Sequence, residues 1–282
     1  MSTAAPPTSP VPAGPVPASP APASPVPASP VPASPVPAGP TRAGSAATLL
    51  LLADGRLPAG GHAHSGGLES AVSAGRVTDV AGLAAFLRGR LATSGRVAAA
   101  FAATACAATH SASGSWNRND VPASLRFQDP EGSVPTIGDL EEGMDARTPS
   151  PALRRASRAQ GRALMRAGRA LWRADPVHRD LHHPIALGVV AATAGLSPTD
   201  AAVAGAYGTI TGPASAAVRL LGLDPYAVHA LLAGLTDECD RMAAGAAARV
   251  TDPVDALPAD SAPLLEIGAE IHATWEVRLF AS

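Results

Sequence analysis

The sequence predicts an all-α fold: a single helical domain of about eight to ten helices behind a disordered Pro/Ala-rich N-terminal tail. Three observations carry this prediction. Alanine dominates residues 45–282 and aromatic side chains make up only 3% of the chain, so helices can approach closely over small side chains. Apolar residues recur at i, i+3, i+4 spacing, while alternating β-branched runs are scarce. Proline-led caps such as Ser197-Pro198-Thr199-Asp200 punctuate the chain at helix-length intervals.

Residues 1–44 stand apart. The first 40 hold 15 of the 29 prolines and no charge, in repeated Val-Pro-Ala-Ser-Pro units. Proline fixes φ and lacks an N–H, so this stretch is expected to be solvated and polyproline-II-like, with no core to bury. No basic n-region precedes an apolar h-region, so it does not read as a secretory signal. The 238 residues from Ser45 onward suffice for one sizeable core.

The elements follow in order. Leu68, Ala71 and Val72 mark a buried helix face. Thr78 is expected to cap a helix carrying Val80, Leu83, Ala84, Leu87 and Leu91 and ending near Gly95, with a second helix over Val97–His110. Residues 111–148 contain Trp116, Asn117, Pro122, Pro130, Gly132, Pro135 and seven acidic side chains but no sustained period, so a mobile loop insertion is expected. After Pro151 comes the clearest helix. At 100° per residue, Leu153, Gln160, Leu164, Ala167 and Leu171 fall within about 40° of one direction. Pro184 opens a helix through Ile185, Val189, Val190 and Ala194. Ser197 caps one running toward Leu221, which Gly212-Pro213 should kink or end. Asp224-Pro225 caps a helix from Tyr226 to about Arg249, and Ser261-Ala262-Pro263 caps the last.

Opposite the apolar face of the 151–173 helix lie Arg154, Arg155, Arg158, Arg162, Arg166, Arg169 and Arg173. Seven like charges with almost no acid on the same helix cost a few tenths of a kcal/mol for each i, i+4 pair. An acidic partner, either the 129–145 segment or another protein, therefore accounts for them better than plain solvation. No aromatic interleaving points to RNA.

Several function classes are excluded. The chain contains no lysine, so a P-loop lysine or a lysine Schiff base cannot occur, and no GxxxxGK(S/T) motif is present. Ser65 lacks a G-x-S-x-G frame. Cys106 and Cys239 fit no metal or redox spacing, and a reduced, cytoplasmic protein is expected. The longest apolar runs, Val97–Ala108 and Ile185–Leu196, are 12 residues each and too short for a bilayer. A net charge of −2 gives no bulk attraction to nucleic acid or membrane. An enzymatic reading rests on histidines: His62 and His64 share a glycine-rich loop, and His178, His182 and His183 cluster before a helix. A helical metal-dependent enzyme using His62, His64, His182 and His183 is one reading of that pattern. Histidines hydrogen-bonded to backbone are the other.

Two short stretches are the most informative. Leu57-Pro58-Ala59-Gly60-Gly61-His62-Ala63-His64-Ser65-Gly66-Gly67-Leu68-Glu69 carries glycines that permit tight turns and close approach, directly before a helix. The last five residues, Arg278-Leu279-Phe280-Ala281-Ser282, set two apolar side chains beside an arginine, the pattern of a docking segment (276–282). Together they resemble the urease accessory protein UreF family, in which an "LP.GG(F/Y).(H/Y)S.GLE" segment opens the fold and "RLF.S" closes it. Leu153, Arg158, Gly161 and Leu164 meet the family's "L....R..G..L" spacing, and residues 183–225 look like its late helix pair. The chain is identified as a divergent, actinobacterial-looking member. His62 stands where an aromatic is usual, Glu276-Val277 where Tyr-Ser is usual, Gly212 in place of an Asn, and Arg219 in place of a Lys.

The resemblance implies an all-α cytoplasmic homodimer without catalysis or cofactor of its own. It implies binding to UreD (also called UreH) and to the GTPase UreG, in a complex that delivers nickel to the urease apoenzyme. It also implies a C-terminal tail that becomes ordered on UreD/UreH. Carried over by motif, the partner-binding positions are His64, Ser65, Gly67, Leu68 and Glu69 in the first segment, Arg219 in the late helix, and His272, Arg278, Leu279 and Phe280 toward the end.

Overall fold

In a computed structural model of the chain, residues 44–114, 134–174 and 180–282 are described. The expectations for the proline-rich tail, for the loop over 115–133 and for His178 fall outside these residues. The described residues are all-α, with no strand among them. Their helices are α1 (Ala46–Ala53), α2 (Leu68–Ser73), α3 (Val80–Arg90), α4 (Arg96–Ala112), α5 (Ile137–Ala146), α6 (Pro151–Trp172), α7 (His183–Thr193), α8 (Pro198–Leu221), α9 (Pro225–Ala233), α10 (Thr236–Ala247) and α11 (Pro263–Ala273).

Local chemistry accounts for most helix starts. Ser197 and Asp200 form a reciprocal capping box at α8, and the Asp224 carboxylate accepts from the Tyr226 and Ala227 N–H groups at α9. Several starts and stops differ from expectation. Asp79, not Thr78, caps α3, its carboxylate accepting from Gly82 N–H at 2.7 Å. Ala262 precedes α11, and Ser261 makes no cap. The helix expected over 226–249 breaks at Gly234-Leu235 into α9 and α10.

Gly95 does not end a helix. A π turn over Leu91–Gly95 joins α3 to α4, and the continuous rod Val80–Ala112 is long and apolar enough to cross a membrane by length and composition alone, which the 12-residue runs did not suggest. The most apolar 18-residue window of that rod is 72% buried, so here it is a core element. Every residue from Val97 to Ala107 is buried. α7 packs on one side of α4, where a Cβ on Gly188 would strike the Ala102 carbonyl, and α8 packs on the other. Phe101, Ala102 and Ala105 join Leu140, Leu164, Ile185 and Val190 in one apolar cluster. Ala99, Ala103 and Ala107 join Leu68, Leu83, Leu87, Ile210 and Leu232 in a second. Alanine thus sets the spacing, and few aromatics are needed.

α8 runs unbroken through Pro213, so of the two outcomes expected there the helix does not end. Proline leaves the Thr209 carbonyl without its helical donor. The Arg90 Nε–H supplies one at 2.8 Å, and burial pulls that guanidinium down to about 10, still charged at neutral pH.

The second half of the expected 111–148 loop is instead helix α5, started by a Thr136–Asp139 capping box. Its Glu141 and Asp145 pair with Arg158 of α6 at 3.0 and 2.8 Å. His182, the N-cap residue of α7, is fully buried. Its Nε2 meets Asp145 at 2.9 Å, its Nδ1 meets Ser157 Oγ at 3.0 Å, and its N–H donates to Glu141 at 2.8 Å. This network binds α5, α6 and α7 together. It also supplies an acidic partner for the first half of the arginine stripe, Arg158 directly and Arg162 through Asp180.

Candidate functional site

The two motif stretches, more than 200 residues apart, meet in space. The loop before α2 reaches its geometry through Gly66 and Gly67, at φ +61° and +86°. A side chain on Gly67 would press on Leu265 of α11, and one on Gly66 on Arg90 and Pro213. Gly61, by contrast, has an ordinary φ and open space where a Cβ would stand. The turn delivers Ser65, Leu68 and Glu69 inward, and all three are buried.

The 278–282 segment lies along this loop like a short ribbon. Ala281 N–H donates to the Ala63 carbonyl at 2.7 Å, and Ser65 N–H to the Ser282 carbonyl at 2.6 Å. The Ser65 hydroxyl donates to the same Ser282 oxygen at 2.9 Å, and His64 Nδ1 meets the Ser282 hydroxyl at 2.6 Å.

Glu69 is the hub. Its Oε1 accepts from Leu279 N–H at 2.8 Å, and its Oε2 accepts from Phe280 N–H at 3.1 Å and His272 Nε2–H at 2.7 Å. Burial works to raise the Glu69 pKa, but the Leu279 N–H, His272 and the Phe280 N–H outweigh it and hold the carboxyl below its ordinary range. Trp275 leans on the His272 ring at 4.8 Å between centroids. Arg219 of α8 closes the seam. Its guanidinium sits 4.4 Å from the Phe280 ring centroid and donates to the His62 carbonyl at 3.1 Å.

The expected pair of exposed apolar residues is split. Phe280 is 4% exposed and belongs to the second core cluster, whereas Leu279 is 72% exposed. The chain bends at both residues and turns both N–H groups onto Glu69, leaving Leu279 outside while Phe280 enters the core. Of the ten positions singled out from the sequence, Ser65, Leu68, Glu69, His272 and Phe280 are buried, while Arg219, Arg278 and Leu279 are exposed. Around them α11 turns Leu264, Ile267 and Ile271 outward at i, i+3, i+7 spacing.

The four histidines of the enzymatic reading do not form a metal site. Among the described residues no three His, Cys, Asp or Glu side chains converge to hold an ion. His64 is engaged by Ser282 and His182 by Ser157 and Asp145. Burial, then the nearby His64, drives the His183 pKa to about 4, so that ring is neutral at physiological pH. Ala63 and Ser282 lie within the two motif stretches but were not among the partner-binding positions named from the sequence, and Arg90, beside Gly66, lies outside both. Each acts through a long-range contact that has no sequence period.

Known proteins resemble this chain over most of its length. The family model UreF matches residues 77–236, between the two motif stretches. The chain is 44% identical over 241 residues to "Urease accessory protein UreF" of Mycobacterium sp. (strain JLS), covering 83% of this chain and 98% of the relative. It is likewise 44% identical to the protein of that name from Mycolicibacterium vanbaalenii, covering 84% and 99%. To that of Mycobacterium tuberculosis (strain ATCC 25618 / H37Rv) it is 39% identical over 242 residues, covering 84% and 99%.

Proposed function

The chain belongs to the UreF family of urease accessory proteins, and on that premise we propose that it is a non-catalytic urease maturation factor. In this reading it is a cytoplasmic homodimer that binds UreD/UreH and the GTPase UreG and regulates GTP-dependent nickel insertion into apo-urease. Nickel is cargo of the complex and needs no resident site on this chain.

The observation that carries the reading is the seam at Glu69. Ser65, Glu69, His272 and Phe280 are spent inside the protein, so they position the ribbon rather than touch a partner. They leave Arg278 and Leu279 exposed, and Leu264, Ile267 and Ile271 of α11 are exposed as well. Exposed apolar side chains each return roughly 1.5–3 kcal/mol when a partner covers them, enough for a handful to anchor an interface. Arg219, itself exposed, holds the ribbon from the other side.

The test is co-purification with UreD/UreH and UreG expressed from the same gene set. Tagged full-length chain should retain UreD/UreH, and Leu279→Asp should release it while the fold is kept. Equal recovery of UreD/UreH by the variant would remove the ribbon from the interface. Purified chain should hold no stoichiometric nickel.

A further inference from the structure

The arginine stripe divides into a half that the protein uses and a half that it does not. Arg158 is paired with Glu141, Asp145 and Asp180, and Arg162 with Asp180. Arg154 and Arg155 lie in the field of Glu270, which is fixed by Ser150 and the Ala152 N–H. Arg166, Arg169 and Arg173 have no ion pair among the described residues, and Arg166 and Arg173 are exposed. At 100° per residue these three fall within about 60° of one another, on the side of α6 opposite Leu164 and Ala167.

Two further features bear on this face. α6 is held rigidly, because Gly161 lies against the Leu181 carbonyl and Gly168 against Val190, where no side chain would fit. Arg173 ends the helix at φ +59°, a left-handed position that glycine or asparagine ordinarily takes. An arginine kept there extends the row by one charge at a conformational cost, and strain of that kind marks positions used for something besides folding. The row has a fixed spacing, and the like charges at i, i+3 and i+4 repel when nothing covers them.

We propose that Arg166, Arg169 and Arg173 form a docking face for an acidic protein segment, one that presents carboxylates at matching helical spacing. The proposal rests on the urease-maturation reading, in that the segment belongs to another component of the maturation complex. A protein occupant is favoured over nucleic acid because the row carries no interleaved aromatics for stacking and the chain as a whole is at −2. Docking neutralises the row, so binding depends on salt over about a 10 Å screening length.

The experiment measures binding of the full chain to three probes, UreD/UreH, UreG and apo-urease from the same source, at low and at roughly 0.3 M salt. It compares wild type, the triple variant Arg166→Glu/Arg169→Glu/Arg173→Glu, and the corresponding triple Lys variant, with unfolding midpoints confirming that each folds. The face predicts that one probe binds wild type and the Lys variant in a salt-sensitive way and loses about tenfold or more with the Glu variant. If wild type binds the probes and the Glu variant binds them equally well, the docking face is wrong and the functional reading stands. If none of the three binds wild type, the functional reading falls and takes this face with it. Arginine-dependent binding to duplex RNA or anionic vesicles, with no protein probe affected, overturns the acidic-protein occupant.

Discussion

His272 Nε2–H donates to Glu69 Oε2 at 2.7 Å across 203 residues of chain, and both side chains are buried. The pair joins α2 to α11 and, through the other Glu69 contacts, pins the 278–282 ribbon. One carboxylate therefore accepts from three donors, two of them buried and the Leu279 N–H partly so. Replacing Glu69 with Ala should cost about 2–4 kcal/mol, because those donors would be left unsatisfied. Urea unfolding measures the cost, and amide exchange at Leu279 and Phe280 should accelerate well beyond the global change. Unaltered exchange at those two amides would show that the ribbon is held by something else.

Leu279 and Phe280 should separate cleanly by mutation. Leu279→Ala removes an exposed side chain and should leave stability within about 0.5 kcal/mol while weakening UreD/UreH binding. Phe280→Ala empties a core position and should cost about 3 kcal/mol or more in thermal or urea unfolding. Deleting Arg278–Ser282 therefore combines both effects, and lost binding in that deletion must be read beside its stability.

Gly67→Val places a β-branched side chain at φ +86° and against Leu265. The expected loss is about 1–3 kcal/mol of folding stability. An unchanged unfolding midpoint together with unchanged complex formation would contradict the close approach of α2 and α11.

Acidification should destabilise the fold in two separate windows. His183 is lowered from 6.5 to about 4, so between those values the unfolded chain takes up a proton that the folded chain refuses. Stability on this account falls as pH drops from about 6.5 toward 4, by up to about 3 kcal/mol, and His183→Gln should flatten that slope. His64, lowered first by burial and then by His62, acts in the same direction. Glu69 has a depressed pKa, so its contribution is complete above the ordinary carboxylate value and is lost only as pH falls below it. Urea midpoints collected from pH 8 to pH 3 would resolve the two windows.

Helix starts encoded by adjacent residues were legible in the sequence. Ser197 with Asp200, and Asp224 with Pro225, act within one turn, and the apolar face of α6 repeats over 22 residues. Elements that depend on distant partners were harder to read. α5 is only ten residues long and reads as polar, and what defines it is burial of Leu140 and ion pairs to Arg158. α8 continues through Pro213 because a buried arginine from another helix replaces the missing donor, and nothing near Pro213 in sequence signals Arg90. Both halves of the seam were recognisable as motifs. Their meeting at Glu69, and hence the sorting of these positions into buried and exposed ones, needed the three-dimensional arrangement.

The central claim, that this chain serves urease maturation through the ribbon pinned at Glu69, is tested most directly by the nickel content and specific activity of urease. The measurement is made in cells carrying the source's complete urease gene set but lacking this chain. Returning the wild-type chain should restore nickel-loaded, active urease, and returning Leu279→Asp should leave apo-urease at normal abundance. Fully active, nickel-loaded urease in cells without the chain, or equal restoration by the variant, would contradict it.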